Sequence, residues 1–399
     1  MPNTVITPTW VTKDVAVNWK NNIKLVGQFD RSWDDSWKNK PEGAQIGYTV
    51  QARIQQRWTV SEGQALQQQA ILNQTVPITL NHQFQIGMGW SSADDALLIE
   101  EVQDRYTKPA GAAMANKADV VAGQEVYKSV YYSAGAPGVP NTLNETYTDA
   151  VALLRNVGVP DELCVVMDPK SQSKLLNANF ALFNPGVQIS QYFTKGQFGA
   201  EALGVSSWKW DPNMPTHTTG TFTSSTPVIS GASQTGSSLA LSGLGTYAFK
   251  AGDVFTIDGV YAVNPVSYID TNTLQQFVIT ADAAGSSTVT LSISPSIITS
   301  GQLQTVTNTA ANGAAVSFLG ATGTVSATMA AIRSKQSLLF NTAAFAFVMA
   351  DLKKNLAGAN VAMVQDKDAK ISMRWVEQYN IQTDQNPSRV DMIVGVAPV

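Results

Sequence analysis

The chain has 399 residues, 44% of them hydrophobic, which is enough for about two or three domains with real cores. Only 14% are charged, against roughly 25% in average soluble proteins, and the net charge is −4. So few charges indicate a neutral surface or one buried against partners, because interface cores are depleted in Lys, Glu and Asp. The weak negative charge argues against a dedicated nucleic-acid-binding protein.

The sole cysteine, Cys164, excludes an intrachain disulfide and is typical of a reducing compartment. The N-terminus has no basic region followed by an apolar core, so we expect no signal peptide. The most apolar run, residues 338–350, is too short to span a membrane. We therefore expect a cytoplasmic product.

Residues 1–28 indicate an N-terminal arm, with an extended start at Pro2 and Pro8 and a short amphipathic segment after it. The segment carries three lysines: Lys13, Lys20 and Lys24. An arm with excess positive charge can face nucleic acid, although a few lysines also fit an ordinary solvated surface.

Residues 46–90 carry the most regular pattern. Apolar residues take every second position from Ile46 to Ile54, recur at Trp58 and Val60, and alternate again from Val76 to Trp90, broken by His82. This alternation predicts strands with one dry and one wet face. The glutamine-rich segment 61–75 joins them, so we predict one long antiparallel hairpin, with strands of about 15 residues reaching about 50 Å.

A two-stranded ribbon is marginally stable in water and leaves two unpaired edges. The sequence around it offers no third strand, so we expect another copy of the chain to cover its apolar face. Two strands of an ordinary sheet within one domain explain the alternation equally well.

A helix of about 40 residues is predicted over 92–132, because Ser92 and Asp95 resemble a capping box and apolar or small residues recur at helical spacing. Such a helix is typical of an elongated subunit. Pro109, followed by Gly111, should kink or divide it.

A Gly/Pro-rich boundary at 133–144 precedes a mixed α/β region. There the pattern predicts a helix over 144–157, a buried strand over 163–167 and a helix that starts at Asp168 and Pro169. We find no nucleotide-binding signature in this region.

The composition changes at Thr221. The charged residues between 221 and 320 are Lys250, Asp253, Asp258, Asp270 and Asp282. Short alternating runs at 254–257, 276–279 and 288–293, separated by turn residues, predict a small β-barrel or sandwich inserted into another fold.

The last part of the chain returns to mixed structure. We predict a strand over 336–340, a helix capped by Asn341 that runs to residue 356, and two final strands over 370–382 and 389–396. The helix is favoured by lysines near its end and by Gly358 after it.

Little catalytic chemistry is visible. The chain has two histidines, His82 and His217, so neither a multi-histidine metal site nor a conventional triad is expected. We expect His82 to pack or to bond at an interface, and His217 to lie in a loop at the entrance of the β-domain. Ser171 and Lys174 fit the S-x-x-K pattern of some acyl-enzymes, but the companion motifs are missing. We expect no cofactor and no enzyme activity.

Six segments carry a family resemblance: MPNTVITPTW at 1–10, FQIGMGW at 84–90 running into Asp94, RYTKP at 105–109, MPTHTTG at 214–220, KAGD through DGVY at 250–261 and RVDMIVGV at 389–396. Each is degenerate alone, and their order is the specific signal. In that order the chain resembles the major capsid proteins of tailed bacteriophages, which share the Hong Kong 97 phage fold. It is most similar to the coat-protein branch of the short-tailed Salmonella phage with an insertion domain.

The resemblance implies an α+β fold in six parts. These are an arm at 1–28, an extended-loop hairpin at 29–90, a spine helix of the peripheral domain at 91–135, an axial domain at 136–220, an inserted β-domain at 221–321, and a return to the axial and peripheral domains at 322–399.

It also implies a shell subunit that forms hexamers and pentamers of an icosahedral capsid around double-stranded DNA, assembled in the host bacterial cytoplasm. The hairpin would lie over a neighbour, with candidate contact residues Arg53, Arg57, Trp58, Glu62, Gln68, His82 and Phe84. The lysines of the arm, Lys13, Lys20 and Lys24, would face DNA. A portal protein and a separate scaffolding protein are implied partners, since too little chain precedes the hairpin for a built-in scaffold.

No Lys/Asn pair with a catalytic carboxylate is identifiable, so we expect a shell without covalent crosslinks. Two alternatives stay open. One is a cellular nanocompartment shell of the same fold, which would need a cargo-docking pocket and is disfavoured by the inserted domain. The other is a hydrolase that uses Ser171 and Lys174.

Overall fold

The structure is a computed structural model of the chain. It describes residues 8–34, 47–91, 103–139, 144–178, 202–223, 226–321, 328–354, 356, 358–366, 370–383 and 385–399. The chain forms two compact units. Unit 1 contains Met1–Ile54, Thr75–Gly123 and Thr342–Val399, and unit 2 contains Gln55–Gln74 and Gln124–Asn341.

The described α-helices are α1 Pro8–Asn22, α2 Lys108–Val126, α3 Asn144–Asn156 and α4 Pro169–Ala178. A π-helical turn, Gln103–Thr107, precedes α2, and short 3-10 turns occur at Val26–Gln28, Ser32–Asp34, Tyr127–Ser129 and Ala202–Gly204. None of the helices in the described ranges has the length and apolar character needed to cross a membrane.

The strands, in chain order, are β1 Thr49–Arg53, β2 Thr75–Ser91, β3 Leu163–Met167, β4 Ser207–Trp210, β5 Thr216–Thr218, β6 Thr221–Phe222, β7 Val228–Ile229, β8 Gly236–Ser242, β9 Thr246–Phe249, β10 Val254–Val263, β11 Asp270–Ile279, β12 Ala283–Ser286, β13 Val289–Ile297, β14 Val316–Phe318, β15 Arg333–Lys335, β16 Leu338–Asn341, β17 Phe345–Ala350, β18 Asn360–Asp366, β19 Ile371–Glu377 and β20 Gln385–Pro398. Helices and mainly antiparallel sheets together confirm the α+β class.

Unit 1 is built on a six-stranded antiparallel sheet with the order β1-β2-β20-β19-β18, in which β17 also pairs with β20. The isolated ribbon expected from the sequence is therefore wrong, because β20 is a third strand from the same chain. It pairs with β2 from Leu80 to Ser91. The local sequence hid this partner, which lies about 300 residues further along the chain.

The helix predicted over 341–356 is also wrong. Residues Phe345–Ala350 form β17, and all six are buried. The register that pairs Phe347 with Val396 places this strand beside β20 in the sheet. A short apolar run fits a buried strand as well as a helix, and here strand pairing decides.

The extended start expected for the arm is wrong from Pro8 onwards, where α1 begins. Proline suits the first helical position because its missing N–H would have no partner there in any case. The apolar side of α1 is buried through Val11, Val15 and Trp19, and the Trp19 ring stacks on Phe347 with centroids 6.5 Å apart. Residues 1–7 lie outside the described part of the chain.

The long helix is observed from residue 103 onwards, and its predicted start at Ser92 and Asp95 lies outside the described residues. The helical segment changes from π to α at Lys108, beside Pro109, where the sequence predicted a break. Gly111 allows α2 to approach α1. A Cβ at this position would lie 2.7 Å from Asn18 Cβ and 2.8 Å from the Val15 carbonyl oxygen.

Unit 2 contains the predicted elements of the region after the boundary. Strand β3 is fully buried and pairs with β16 and, in parallel, with β4. Helix α4 starts where predicted, and the Asp168 carboxylate accepts its first backbone N–H groups, from Lys170 at 3.2 Å and Ser171 at 3.4 Å. An acidic N-cap of this kind satisfies donors that the helix leaves free.

The β-domain of unit 2 consists of a six-stranded sheet, β14-β10-β11-β13-β8-β7, and a three-stranded sheet, β12-β9-β6. The predicted runs at 254–257, 276–279 and 288–293 fall in β10, β11 and β13. Stacked phenylalanines fill the core, with Phe249 and Phe318 centroids 4.8 Å apart. Strand β5 before the domain pairs with β15 after it, so the chain enters and leaves at one place.

Candidate subunit-contact surface

The predicted hairpin is confirmed, with a shorter first strand. Strands β1 and β2 pair antiparallel in a register that runs from Thr49 opposite Thr79 to Arg53 opposite Thr75. Beyond Arg53 the chain leaves strand geometry and returns to it only at β2. We call residues 55–74, which connect the two strands, the hairpin tip.

The base of the hairpin is covered within unit 1. Ala52 and Ile78 are fully buried, and Leu80 is 5% exposed. These three residues share one cluster with Ala346, Val348, Ala350 and Ala397. The apolar face at this end therefore needs no second copy of the chain.

Burial along β2 follows the predicted parity. Every second residue from Val76 to Met88 is more buried than its neighbours. Towards the far end, however, the apolar positions are only half-buried, including the candidates His82 and Phe84. Their rings stack with centroids 6.1 Å apart and planes at 14°. This half of the strand keeps an apolar face that is partly open to solvent.

The hairpin tip carries large apolar side chains that are exposed. The exposed fractions are 55% for Trp58, 95% for Val60, 87% for Leu66 and 72% for Ile71. The tip carries few charges around them, since its charged residues are Arg57 and Glu62. A contiguous segment of this kind is typical of a protein–protein contact.

Hydrogen bonds hold the two sides of the tip together. The Gln69 side chain accepts a bond from the Thr59 backbone N–H at 3.0 Å and donates one to the Thr59 carbonyl. The Gln56 side-chain oxygen accepts a bond from the Leu72 backbone N–H at 3.0 Å. Side-chain hydrogen bonds thus connect the two sides of the tip, although the tip contains no strand.

The predicted contact residues in β1 and in the tip are open to solvent. Arg53 in β1 is exposed, and so are four positions of the tip: Arg57, Trp58, Glu62 and Gln68. Val60 was predicted to lie on the dry face of the first strand, but that strand ends at Arg53 and Val60 is exposed. The exposed Leu66 and Ile71 were missed because residues 61–75 were treated as a polar connection. The available signal was the occurrence of single large apolar residues among glutamines.

The predicted DNA-facing lysines lie on or just after α1. Lys13 and Lys20 are exposed, whereas Lys24 is half-buried. The chain after α1 is fixed by the buried Asp119 carboxylate, which accepts backbone N–H bonds from Lys24 at 3.0 Å and Val26 at 2.9 Å.

His217 is not the loop residue expected from the sequence. It lies in β5 and is buried, and its Nε2 is 2.9 Å from Asp253 Oδ1. The same carboxylate accepts backbone N–H bonds from Gly220, at 3.1 Å and 3.0 Å, and from Lys250, at 2.8 Å. The Tyr127 ring lies 5.6 Å from His217, and burial raises the pKa of its hydroxyl, with Asp253 and Asp282 adding to the effect. This buried cluster fixes the entrance of the β-domain.

The hydrolase hypothesis finds no support in the geometry. Ser171 is buried in the first turn of α4, while Lys174 is exposed to solvent. Cys164 is buried in β3, and burial raises the pKa of its thiol to about 11, opposed by Lys209 and a hydrogen bond from Ser207. Among the residues described, no three His, Cys, Asp or Glu side chains are grouped as metal ligands.

Solved phage structures are similar to the chain at low identity. A structure from Mycobacterium phage Che8 is 10% identical, covering 94% of this chain and 88% of that chain, with a TM-score of 0.43. The capsid structure of the cyanophage P-SCSP1u is 11% identical over 89% and 81% of the two chains, with a TM-score of 0.37. The coat protein I-domain of CUS-3 is 23% identical over 25% of this chain and 95% of that chain, with a TM-score of 0.17.

No curated protein matches the chain. The family model described as P22 coat protein, gene protein 5, matches residues 67–399. That span includes β2, α2, the β-domain and every strand after it. It confirms the resemblance from which the Hong Kong 97-type fold was expected, and it does not favour the nanocompartment or hydrolase alternatives. The chain belongs to the P22 coat protein family and is a tailed-phage major capsid protein that self-assembles into the virion capsid.

Proposed function

We propose that the chain builds the hexamers and pentamers of an icosahedral shell around double-stranded DNA, and that the hairpin tip lies on a neighbouring copy. The observation that carries this proposal is the exposure of Trp58, Val60, Leu66 and Ile71 on one braced segment. Fully burying one such side chain is worth about 1.5–3 kcal/mol. Repeated around a capsomer, this contact gives a driving force for assembly without covalent bonds.

The low charge of the chain supports the same role. With 14% charged residues, a large part of its surface can be buried between copies without desolvating ions. The half-buried apolar face of β2 at His82 and Phe84 is proposed as a separate contact with a neighbouring copy. The exposed Arg57, Glu62 and Gln68 of the tip then supply the polar contacts that set the register between copies, and Arg53 in β1 is a further candidate contact.

The six-part organisation implied by the resemblance is part of this proposal. Residues 1–28 and 29–90 would be the arm and extended loop, 91–135 the spine, 136–220 the axial domain, 221–321 the inserted β-domain and 322–399 the return segment. The pairing of β5 with β15 at the root of the β-domain supports the insertion.

The proposed partners are a separate scaffolding protein, a portal protein and packaged double-stranded DNA. Lys13, Lys20 and Lys24, on or just after α1, would bind DNA phosphates. This binding would be non-specific, since phosphate contacts of lysines carry no sequence information. Assembly would take place in the host bacterial cytoplasm, and the chain would act without catalysis and without a cofactor.

Electron microscopy of the expressed chain, alone and with the scaffolding gene product of the same phage, tests the proposal. We expect closed shells in the co-expressed sample. Monodisperse subunits in both samples would contradict the proposed function.

A matched pair of variants tests the role of the tip. Ile71→Asp places a charge on the tip, and Ile381→Asp places one on the turn after β19, where the isoleucine is 84% exposed. We expect only Ile71→Asp to abolish shells, because only it would bury a charge at the contact. Normal shells from Ile71→Asp would contradict the contact.

A further inference from the structure

Side-chain amides link the hairpin tip to the β-domain. Gln302, in the loop after β13, accepts a hydrogen bond from Gln56 Nε2 at 3.2 Å and donates one from its own Nε2 to Gln69 Oε1 at 3.0 Å. We call Gln56, Gln69 and Gln302 the glutamine clasp. All three belong to unit 2.

Each side of the clasp is anchored. On the β-domain side, the Tyr268 hydroxyl donates to the Gln302 carbonyl at 3.0 Å, and Thr305 closes the loop with a backbone bond to Ile298 at 2.9 Å. On the tip side, Gln56 and Gln69 are the two residues that brace the tip internally. The clasp therefore joins a braced segment to a closed loop.

In the tip, polar side chains are bonded within the chain and apolar side chains face solvent, which is the reverse of the usual arrangement. The side-chain amides of Gln56 and Gln69 form intrachain hydrogen bonds, while Val60, Leu66 and Ile71 are exposed. Each glutamine offers both a donor and an acceptor, so the chain of bonds from Gln56 through Gln302 to Gln69 fixes the orientation of the Gln302 amide. Because the clasp contains no ion, salt does not screen it.

We propose that the clasp preorganises the tip, so that an incoming second copy of the chain meets an ordered apolar surface. This inference rests on the proposed function, in which the tip binds a neighbour. A free connection of this length would lose conformational entropy on docking, and a tip already ordered by the β-domain loses less. Gln302 is then a positioning residue for assembly, and the β-domain acts on the contact through it.

The test compares Gln302→Ala with Gln304→Ala in unassembled full-length subunits. Gln304 lies on the same loop but bonds to the Val306 carbonyl, at 3.1 Å, and so serves as the control. Trypsin cleavage after the exposed Arg57, followed by mass spectrometry, reports how often the tip is released. We expect cleavage about tenfold faster in Gln302→Ala, since two hydrogen bonds are lost, and no change in Gln304→Ala.

Assembly is measured on the same variants by light scattering, together with the thermal unfolding midpoint. We expect Gln302→Ala to assemble more slowly at an unchanged midpoint, a combination that a purely structural role would not give. Gln69→Ala removes the tip residue that bonds to Gln302 and leaves the β-domain intact. We expect it to show the same faster cleavage and slower assembly as Gln302→Ala. Cleavage of both variants at the wild-type rate, or assembly as fast as wild type or faster, would overturn the proposal.

The cleavage rate separates this proposal from the proposed function. If wild-type subunits form no shells while Gln302→Ala is cleaved faster, the clasp stands as a contact and the assembly role of the tip fails. If shells form and cleavage rates are equal, the proposed function stands and the clasp fails.

Discussion

The buried Arg374 guanidinium is held by two hydrogen bonds to Asp391, with Nε 3.0 Å from Oδ1 and Nη2 2.5 Å from Oδ2. Asp391 is completely buried, and Arg389 Nη2 lies 3.0 Å from its Oδ2. The pair links β19 to β20 in the central sheet of unit 1. A buried ion pair of this kind tolerates joint replacement far better than the loss of one partner.

Asp391→Ala should therefore be strongly destabilising. It leaves the Arg374 charge buried without its carboxylate, at a cost of about 3–5 kcal/mol in the free energy of unfolding. Equilibrium urea unfolding of the unassembled subunit measures this loss.

The double variant Arg374→Met/Asp391→Leu is the control, because it removes both charges and keeps most of the side-chain volume. We expect it to regain most of the lost stability. A double variant as unstable as Asp391→Ala would show that the charge itself is not the cause.

The hairpin and the β-domain could be predicted because alternation records which face of a strand is buried. Burial from Val76 to Met88 follows the sequence parity residue by residue. The two helices α3 and α4 were found for a similar reason, since their ends carry local signals such as Asp168 before Pro169.

The remaining features depend on residues far apart in the chain. Strand β17 was mistaken for a helix because its partner β20 is not visible in the local pattern. Asp391 occupies a position in the final strand that the sequence would assign to solvent, and only the register with Arg374 explains its burial. The contact of Gln302 with the tip joins positions about 230–250 residues apart, so no local pattern indicates it.

Asp253→Ala should destabilise the β-domain. The carboxylate is 3% exposed and accepts bonds from two backbone N–H groups, of Gly220 and Lys250, as well as lying against His217. Each buried donor left without a partner costs about 1–3 kcal/mol, so we expect a loss of at least about 2 kcal/mol in urea unfolding.

Asp258→Ala provides the comparison, because Asp258 lies in β10, the strand that begins directly after Asp253, and is exposed. Its removal should change the free energy of unfolding by less than about 0.5 kcal/mol. Equal effects of the two substitutions would refute the role assigned to Asp253.

The Cys164 thiol should be inert in the folded chain. Burial raises its pKa to about 11, from an ordinary value of 9.0, so at pH 8 the reactive thiolate is about a hundredfold scarcer than in the unfolded chain. Reaction with a disulfide reagent should be slow in buffer and fast in urea.

The same shift predicts a pH dependence of stability. A thiol whose folded pKa lies above its unfolded pKa contributes stability that is complete below about pH 9 and is lost as the pH rises to about 11. Cys164→Ser should flatten this part of the stability curve. An unchanged slope in that variant would assign the alkaline loss to the buried tyrosines, among them Tyr147, whose pKa is raised by burial and by Asp168 to about 12.

Gly111→Ala should destabilise unit 1, although alanine is the better helix former by about 1 kcal/mol. The added Cβ would lie 2.7 Å from Asn18 Cβ and 2.8 Å from the Val15 carbonyl oxygen, so α1 and α2 must separate. Overpacking of this kind costs about 1–3 kcal/mol, which outweighs the propensity gain and lowers the urea midpoint. Gly87→Ala, where a Cβ meets nothing within 4 Å, is the control and should leave the midpoint nearly unchanged. A raised midpoint in Gly111→Ala would mean that propensity wins and that the two helices are not in close contact.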